Sequence, residues 1–188
     1  MESLEWTDIV FVTQMIMTHS ECMRYGHFTT QDIPLFRLQR VSVTQAWRLD
    51  SDWTKYTDDN AVTVFFMDMP TAEPAIYRLD TPHAACSVAI TASMVLSWYT
   101  TIRAKRFTDS PLLFPGMPPM NQRHTKFQSW LRQKITVVVP GFTLVAKVRP
   151  HGLRAGWVCD RRAQKVPDNI TMWEGRWKSK QAMGLYDH

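Results

Sequence analysis

The chain has 188 residues, 45% of them hydrophobic, which suits one compact domain with a packed core. Its formal net charge of +5 is unevenly spread: residues 1–120 hold 9 Lys+Arg against 13 Asp+Glu, and residues 121–188 hold 13 against 4. Three distant cysteines, Cys22, Cys86 and Cys159, point away from a disulfide framework or a zinc ribbon, and the longest apolar runs fall short of the ~20 residues that span a bilayer.

In chain order, "MESLEW" has acid where a signal peptide carries base, so an intracellular protein is expected: nuclear in a eukaryote, otherwise in the cytoplasm or nucleoid. The following stretch, apolar on most sides, predicts a largely buried helix from about Glu5 to Tyr25. Strands are expected at 43–49 ("VTQAWRL") and 61–67 ("AVTVFFM"), with "KYTDDN" as a turn and a third strand near "PLFRLQ". "CSVAITASMVLSWYTTIRAKR" predicts a second long helix, basic at its end as the helix dipole favours. "FTDSPLLFPGMPPMN", with four prolines, is a loop. A helix is expected at about Gln122–Gln133, then an extended or looped "TVVVPGFTLVAKV" broken at Pro140-Gly141. Short helices fit 151–164, 167–174 and 179–186, with Pro167 and Ser179 as start signals. The expected fold class is α+β, mainly helical, with helices around a small antiparallel three-stranded sheet.

The basic final third suggests a partner with fixed negative charge, nucleic acid first of all; a solvated basic face is the plainer alternative. His19, Cys22 and His27 are the one hint of metal, but helical spacing does not bring all three together. His151 and Arg154, three apart, share a helix face and could both hydrogen-bond an anionic oxygen. Alone they are ordinary surface residues. Trp177 could equally be a core side chain, and Tyr186 a packing residue.

The order of these residues adds more. Trp177 follows Arg154 by 23 positions, inside "GRWKS", and Tyr186 follows Trp177 by nine. The stretch "PHGLRAGWVCDRRAQKVPDNITMWEGRWKSKQAMGLY" resembles the second motif and nucleophile module of the tyrosine recombinases, the phage integrase family. The resemblance extends upstream. "RLDTPHAACSVAITASMVLSWYTTIRAKRFTDSPLLFP" looks like a family segment that opens a helix with cysteine-proline, with Ser87 here in place of the proline. "DWTKYTDDNAVTVFF" lies where the family has its hairpin and catalytic lysine, which makes Lys55 the candidate. "MIMTHSECMRYGHFTTQDI" looks like the first motif; Ser20 and Glu21 match, and Thr18 stands where the family has arginine.

The resemblance implies a single catalytic-type domain over 1–188, without the N-terminal core-binding domain, with double-stranded DNA as its partner and further copies of itself as candidate partners on the DNA. It implies neither cofactor nor metal. Tyr186 would attack a phosphodiester to give a 3′-phosphotyrosyl link. Arg154, His151 and Trp177 would hold the non-bridging oxygens, and Lys55 would protonate the departing 5′-oxygen. The alternatives are a non-catalytic DNA-binding remnant of a mobile-element recombinase, which Thr18 favours, and a type IB topoisomerase-like relaxing activity. Arg24, on the same predicted helix, lies about 120° round it from position 18, too far to replace the arginine easily.

Overall fold

A computed structural model describes residues 5–40, 47–51, 63–67 and 92–186, with backbone only for Ser51 and residues 63–67. The described chain is mainly helical with a small antiparallel sheet, an α+β arrangement. The helices are α1 (Trp6–Ser20), α2 (Gly26–Thr29), α3 (Ala92–Arg106), α4 (Met120–Val138), α5 (His151–Ala163), α6 (Asp168–Glu174) and α7 (Lys180–Gly184). The strands are β1 (Leu38–Arg40), β2 (Trp47–Ser51) and β3 (Thr63–Met67), in spatial order β1-β2-β3. Leu38 pairs with Leu49, and both are buried, so this pair fastens the sheet to the core. The Trp47 indole N–H donates to the Ser97 hydroxyl at 3.2 Å, tying β2 to α3. The expected strand near "PLFRLQ" begins only at Leu38, because Leu35–Arg37 form a 3₁₀ turn first. The turn "KYTDDN", Lys55 and Ser87 lie outside the described residues.

Helix α1 organises the rest. Its buried positions Trp6, Ile9, Val10, Phe11, Thr13, Gln14, Met17 and Thr18 recur at three- and four-residue spacing and cover a wide face. That face packs on α3 and α5. Buried polar groups on it are mostly satisfied: the Thr13 hydroxyl donates to the Ile9 carbonyl at 2.8 Å, and the Tyr25 hydroxyl donates to Gln14 at 2.9 Å. Tyr25, Phe127 and Trp130 stack in series, with Phe11 edge-on to the latter two. A second, smaller cluster joins Cys22, Trp157, Val158, Trp177, Met183 and Tyr186.

Two helix boundaries differ from the sequence expectation. Helix α1 stops at Ser20 rather than Tyr25. The Met23 N–H donates to the Thr18 carbonyl at 3.0 Å, and the Cys22 N–H to the His19 carbonyl at 3.3 Å. This is the paired bonding of a Schellman stop, with Cys22 at φ 50° in the left-handed position that glycine usually fills. Nothing in the apolar pattern announces a stop made with cysteine. Helix α4 runs on to Val138, through residues expected to be extended. β-Branched residues cost less than about 0.7 kcal/mol each in a helix, and here Ile135 and Val138 line an apolar groove with Trp130, Leu131, Phe142 and Leu144. The helix ends just before Pro140-Gly141, where Gly141 has φ 86°. The Arg132 guanidinium then reaches the Ala146 and Val148 carbonyls and holds the return segment against α4.

The three C-terminal helices start where the sequence indicates. Pro167 precedes α6, and the Ser179 hydroxyl caps α7 by accepting the Ala182 N–H at 3.1 Å. Among the described residues no helix is long and apolar enough to cross a membrane.

Candidate active site

The site forms where the end of α1, the start of α5 and the turns before and after α7 meet. Arg154 is its centre. It sits one turn into α5 and is only 3% exposed. Its guanidinium donates to the Gly175 carbonyl, lies 4.2 Å from the centre of the Trp177 ring and 5.6 Å from that of Tyr186. Desolvated cation–π contacts of this kind are worth about 2 kcal/mol. No carboxylate is bonded to it among the described residues, so a buried positive charge is held by a carbonyl, a thiol and two aromatic faces.

The local chain geometry makes this possible. Helix α6 ends in the same kind of stop as α1: Arg176 N–H donates to Trp173 and Trp177 N–H to Met172, with Arg176 at φ 57°. The turn folds the Trp177 ring back over Gly175. A Cβ on residue 175 would lie 1.6 Å from Cζ3 of that ring, so only glycine fits. Trp177 then meets Tyr186 edge-on at 5.2 Å, and the His151 ring meets Tyr186 from the other side at 4.6 Å. His151 is exposed, whereas Trp177 and Tyr186 are buried. The four residues singled out from the final forty therefore lie together: Trp177 and Tyr186 flank the Arg154 guanidinium, and His151 meets Tyr186. Trp177 and Tyr186 are also core residues: burying side chains of this size contributes about 1.5–3 kcal/mol each.

Three side-chain groups here are buried without a hydrogen-bond partner: the Arg154 Nε–H, the Trp177 indole N–H and the Thr18 hydroxyl. Orphaned buried polar groups cost about 1–3 kcal/mol each, and folded proteins keep few of them. The Arg161 Nε–H and the Thr171 hydroxyl are likewise buried without a partner. Thr18 itself is fully buried on the last turn of α1. Glu21 follows as the residue closing that helix.

The expectation for Arg24 is corrected. It depended on α1 continuing past position 24, and the stop at Cys22 removes that geometry. The reversed chain carries Cys22, Arg24 and His27 back toward α5. Burial raises the Cys22 thiol pKa to about 11, against the opposing influence of Arg154, Arg176 and Arg24. The thiol is thus neutral at pH 7 and a poor nucleophile or metal ligand. His27 is buried, and burial first, then Arg176, Arg24 and Arg154, lower its pKa to about 3. Its imidazole is neutral beside three cations.

The remaining metal hint dissolves on geometry. His19 Nε2 lies 3.1 Å from the Asp160 carboxylate, so it braces α1 on α5 and does not face Cys22 and His27. Among the described residues no group of three or more His, Cys, Asp or Glu could hold a metal ion.

Sequence reasoning did not single out Arg176, and it named His27 only in the metal hint. Arg176 stands next to Trp177 in "GRW", which was a visible signal. Its Nη1 donates to the Glu21 carbonyl at 3.3 Å and the Glu174 carbonyl at 3.4 Å. Arg176 is exposed; partial desolvation lowers its pKa, Glu21 and Cys22 oppose that shift, and Arg154 adds to it, and a guanidinium stays charged regardless.

Comparison with known protein families and with curated proteins finds no match for this chain.

Proposed function

We propose that this chain is a tyrosine-recombinase-type catalytic domain that cuts and rejoins duplex DNA through a 3′-phosphotyrosyl intermediate. One observation supports the reading: one helix and two turns bring together the buried Arg154 guanidinium, the Trp177 and Tyr186 rings beside it and His151 against Tyr186, with the Arg154 Nε–H and the Trp177 N–H unpaired. A phosphodiester supplies what such a cluster lacks, an anion with several acceptor oxygens. The Tyr186 hydroxyl gives its proton to water as its oxygen bonds to phosphorus. The bond from phosphorus to the 5′-oxygen breaks, and that oxygen takes a proton, from Lys55 if the hairpin resemblance holds. Arg154, His151 and the Trp177 N–H stabilise the charge that gathers on the non-bridging oxygens. Attack by a 5′-hydroxyl reverses each step and releases the tyrosine, so no external energy source is needed.

The basic balance of residues 121–188 supplies the sequence-independent part of DNA affinity. Duplex binding is accordingly expected to fall steeply between ~50 and ~500 mM salt. Equal retention at both concentrations would remove nucleic acid as the partner.

The uncharged Thr18 favours a second reading, a DNA-binding protein that no longer turns over. A nicked suicide substrate separates the two. On a denaturing gel the catalytic reading predicts a covalent protein–DNA band that vanishes in Tyr186→Phe. A band that persists in that variant assigns the nucleophile elsewhere. No band at any protein concentration, with salt-sensitive binding intact, establishes the non-catalytic reading.

A further inference from the structure

Away from Arg154, a groove of about 780 Å³ lies between α4 and the segment that returns from it, and reaches α1 at Val12 and Met15 and α5 at Gly152 and Leu153. We propose that it binds a free fatty-acid anion of medium chain length, with the alkyl chain in the groove and the carboxylate at Lys147 and Arg149. This inference does not rest on the DNA reading.

The volume falls within the roughly 300–1,000 Å³ of small-ligand sites, which are mostly apolar with a few polar groups that fix orientation. Among the described residues that line the groove, Asp8, Lys134, Lys147 and Arg149 alone carry charge. Val138 and Leu144 line it and are still 73% and 50% exposed, so its apolar surface is left uncovered by the described residues. A contiguous exposed apolar surface rimmed by polar groups marks a binding site.

The charges select the sign of the ligand. Asp8 is already engaged: its carboxylate accepts the Trp130 indole N–H at 2.6 Å and lies 3.1 Å from the Lys134 ammonium. Lys147 and Arg149 are exposed, and neither side chain has a hydrogen-bond or ion-pair partner among the described residues. Between them stands Val148, whose carbonyl accepts from Gln128 and Arg132 of α4. The backbone that carries both cations is thus held in place before a ligand arrives, which lowers the ordering cost of binding. A carboxylate offers these two donors charge-assisted hydrogen bonds, and the alkyl chain covers the lining.

Gly152 gives a means of closing the groove. It is one of the lining residues, and a Cβ built on it meets no atom within 4 Å, so a longer side chain has room there. Replacing a helical glycine also favours the fold.

The test is calorimetric titration of the whole chain with dodecanoate below its micelle-forming concentration. Dodecanoate should bind, and decanoate should bind roughly tenfold more weakly, as burial of two fewer methylenes predicts. Dodecyltrimethylammonium, the same chain with the opposite charge, should bind at least about tenfold more weakly than dodecanoate. Lys147→Ala with Arg149→Ala should weaken dodecanoate roughly three- to tenfold, the range for two exposed charge pairs, without weakening the ammonium compound. Gly152→Leu should weaken dodecanoate at least about tenfold while its urea midpoint stays at or above the parental value. Leu144→Glu, at a half-exposed position, should do the same by placing a carboxylate in the groove, and it serves if Gly152→Leu fails to fold. Absence of dodecanoate binding, equal affinity for the two head groups, or parental affinity in both groove variants overturns the proposal. Sedimentation with phosphatidylglycerol vesicles tests the other source of acyl chains: capture by vesicles without binding of free dodecanoate makes the groove a membrane contact and overturns it as well.

Discussion

Arg154→Met should abolish Tyr186–DNA adduct formation, by 10³-fold or more, while leaving the unliganded protein as stable as the parent or up to about 4 kcal/mol more stable. The two halves of this expectation share one cause. Arg154 is buried at 3% exposure, beside a field that already includes Arg24 and Arg176. The effective penalty for desolvating a charge is several kcal/mol. Against it stand one charge-assisted hydrogen bond, worth about 1.5–3 kcal/mol, and a cation–π contact of about 2. These roughly balance, so a neutral side chain of similar length loses little and removes the repulsion with the other guanidiniums. Buried ion sites replaced by well-packed apolar residues commonly gain 1–4 kcal/mol. The Gly175 carbonyl left behind costs part of that gain. Function moves the other way, because methionine offers no donor to a phosphate. Urea unfolding with and without duplex DNA reads both halves at once: DNA should stabilise the parent by mass action and the variant much less. A variant that is less stable by more than about 2 kcal/mol yet keeps its adduct rate would make Arg154 a structural residue.

The fold was legible where periodicity and punctuation agree. The short helices after residue 150 begin at Pro167 and Ser179 as expected, since proline and a capping serine act through local backbone chemistry that needs no tertiary partner. The end of α1 was not legible, because the stop uses cysteine in a conformation that glycine signals. The extension of α4 was not legible either: propensity argues for extension at Thr136–Val138, and contact with the apolar groove decides for helix.

The site shows the same division. His151, Arg154, Trp177 and Tyr186 follow one another along the chain at readable spacings, and the structure brings them together. Arg176 carried a signal in its position beside Trp177. Its relation to Glu21 crosses 155 positions and depends on the very turn that the α1 pattern hid. Arg24 was misplaced for the same reason: an angle counted on a helix has no meaning once the helix has ended. One unread backbone reversal thus accounts for both errors, and for the burial of His27.

His27 should make the protein acid-labile well above the pH at which most buried carboxylates matter. Its imidazole is buried with Arg176, Arg24 and Arg154 near it, and its pKa falls to about 3 in the folded state. In the unfolded chain it titrates near 6.5. Above that value neither state binds the proton, and His27 has no influence on the pH dependence. Below it the unfolded state gains a proton that the folded state refuses, so stability falls as the pH falls, by about 1.4 kcal/mol per unit, until the folded pKa is reached. Between pH 6.5 and 4.5 the loss approaches about 2.5 kcal/mol, a large part of a typical domain's stability. His19, whose pKa burial also lowers while Asp160 opposes, adds a smaller share with the same sign. His27→Gln keeps a hydrogen-bonding side chain of similar size and removes the titration. Urea unfolding at pH 7.0, 5.5 and 4.5 should give a clearly steeper decline for the parent than for His27→Gln. Parallel declines would mean that the imidazole accepts its proton in the folded state, and that the three guanidiniums lie too far away or too well solvated to prevent it. A bound phosphate should reduce the difference, because an anion among Arg24, Arg154 and Arg176 offsets the field that keeps His27 neutral. Repeating the series with saturating duplex DNA therefore tests whether the histidine and the proposed phosphate position belong to one electrostatic unit.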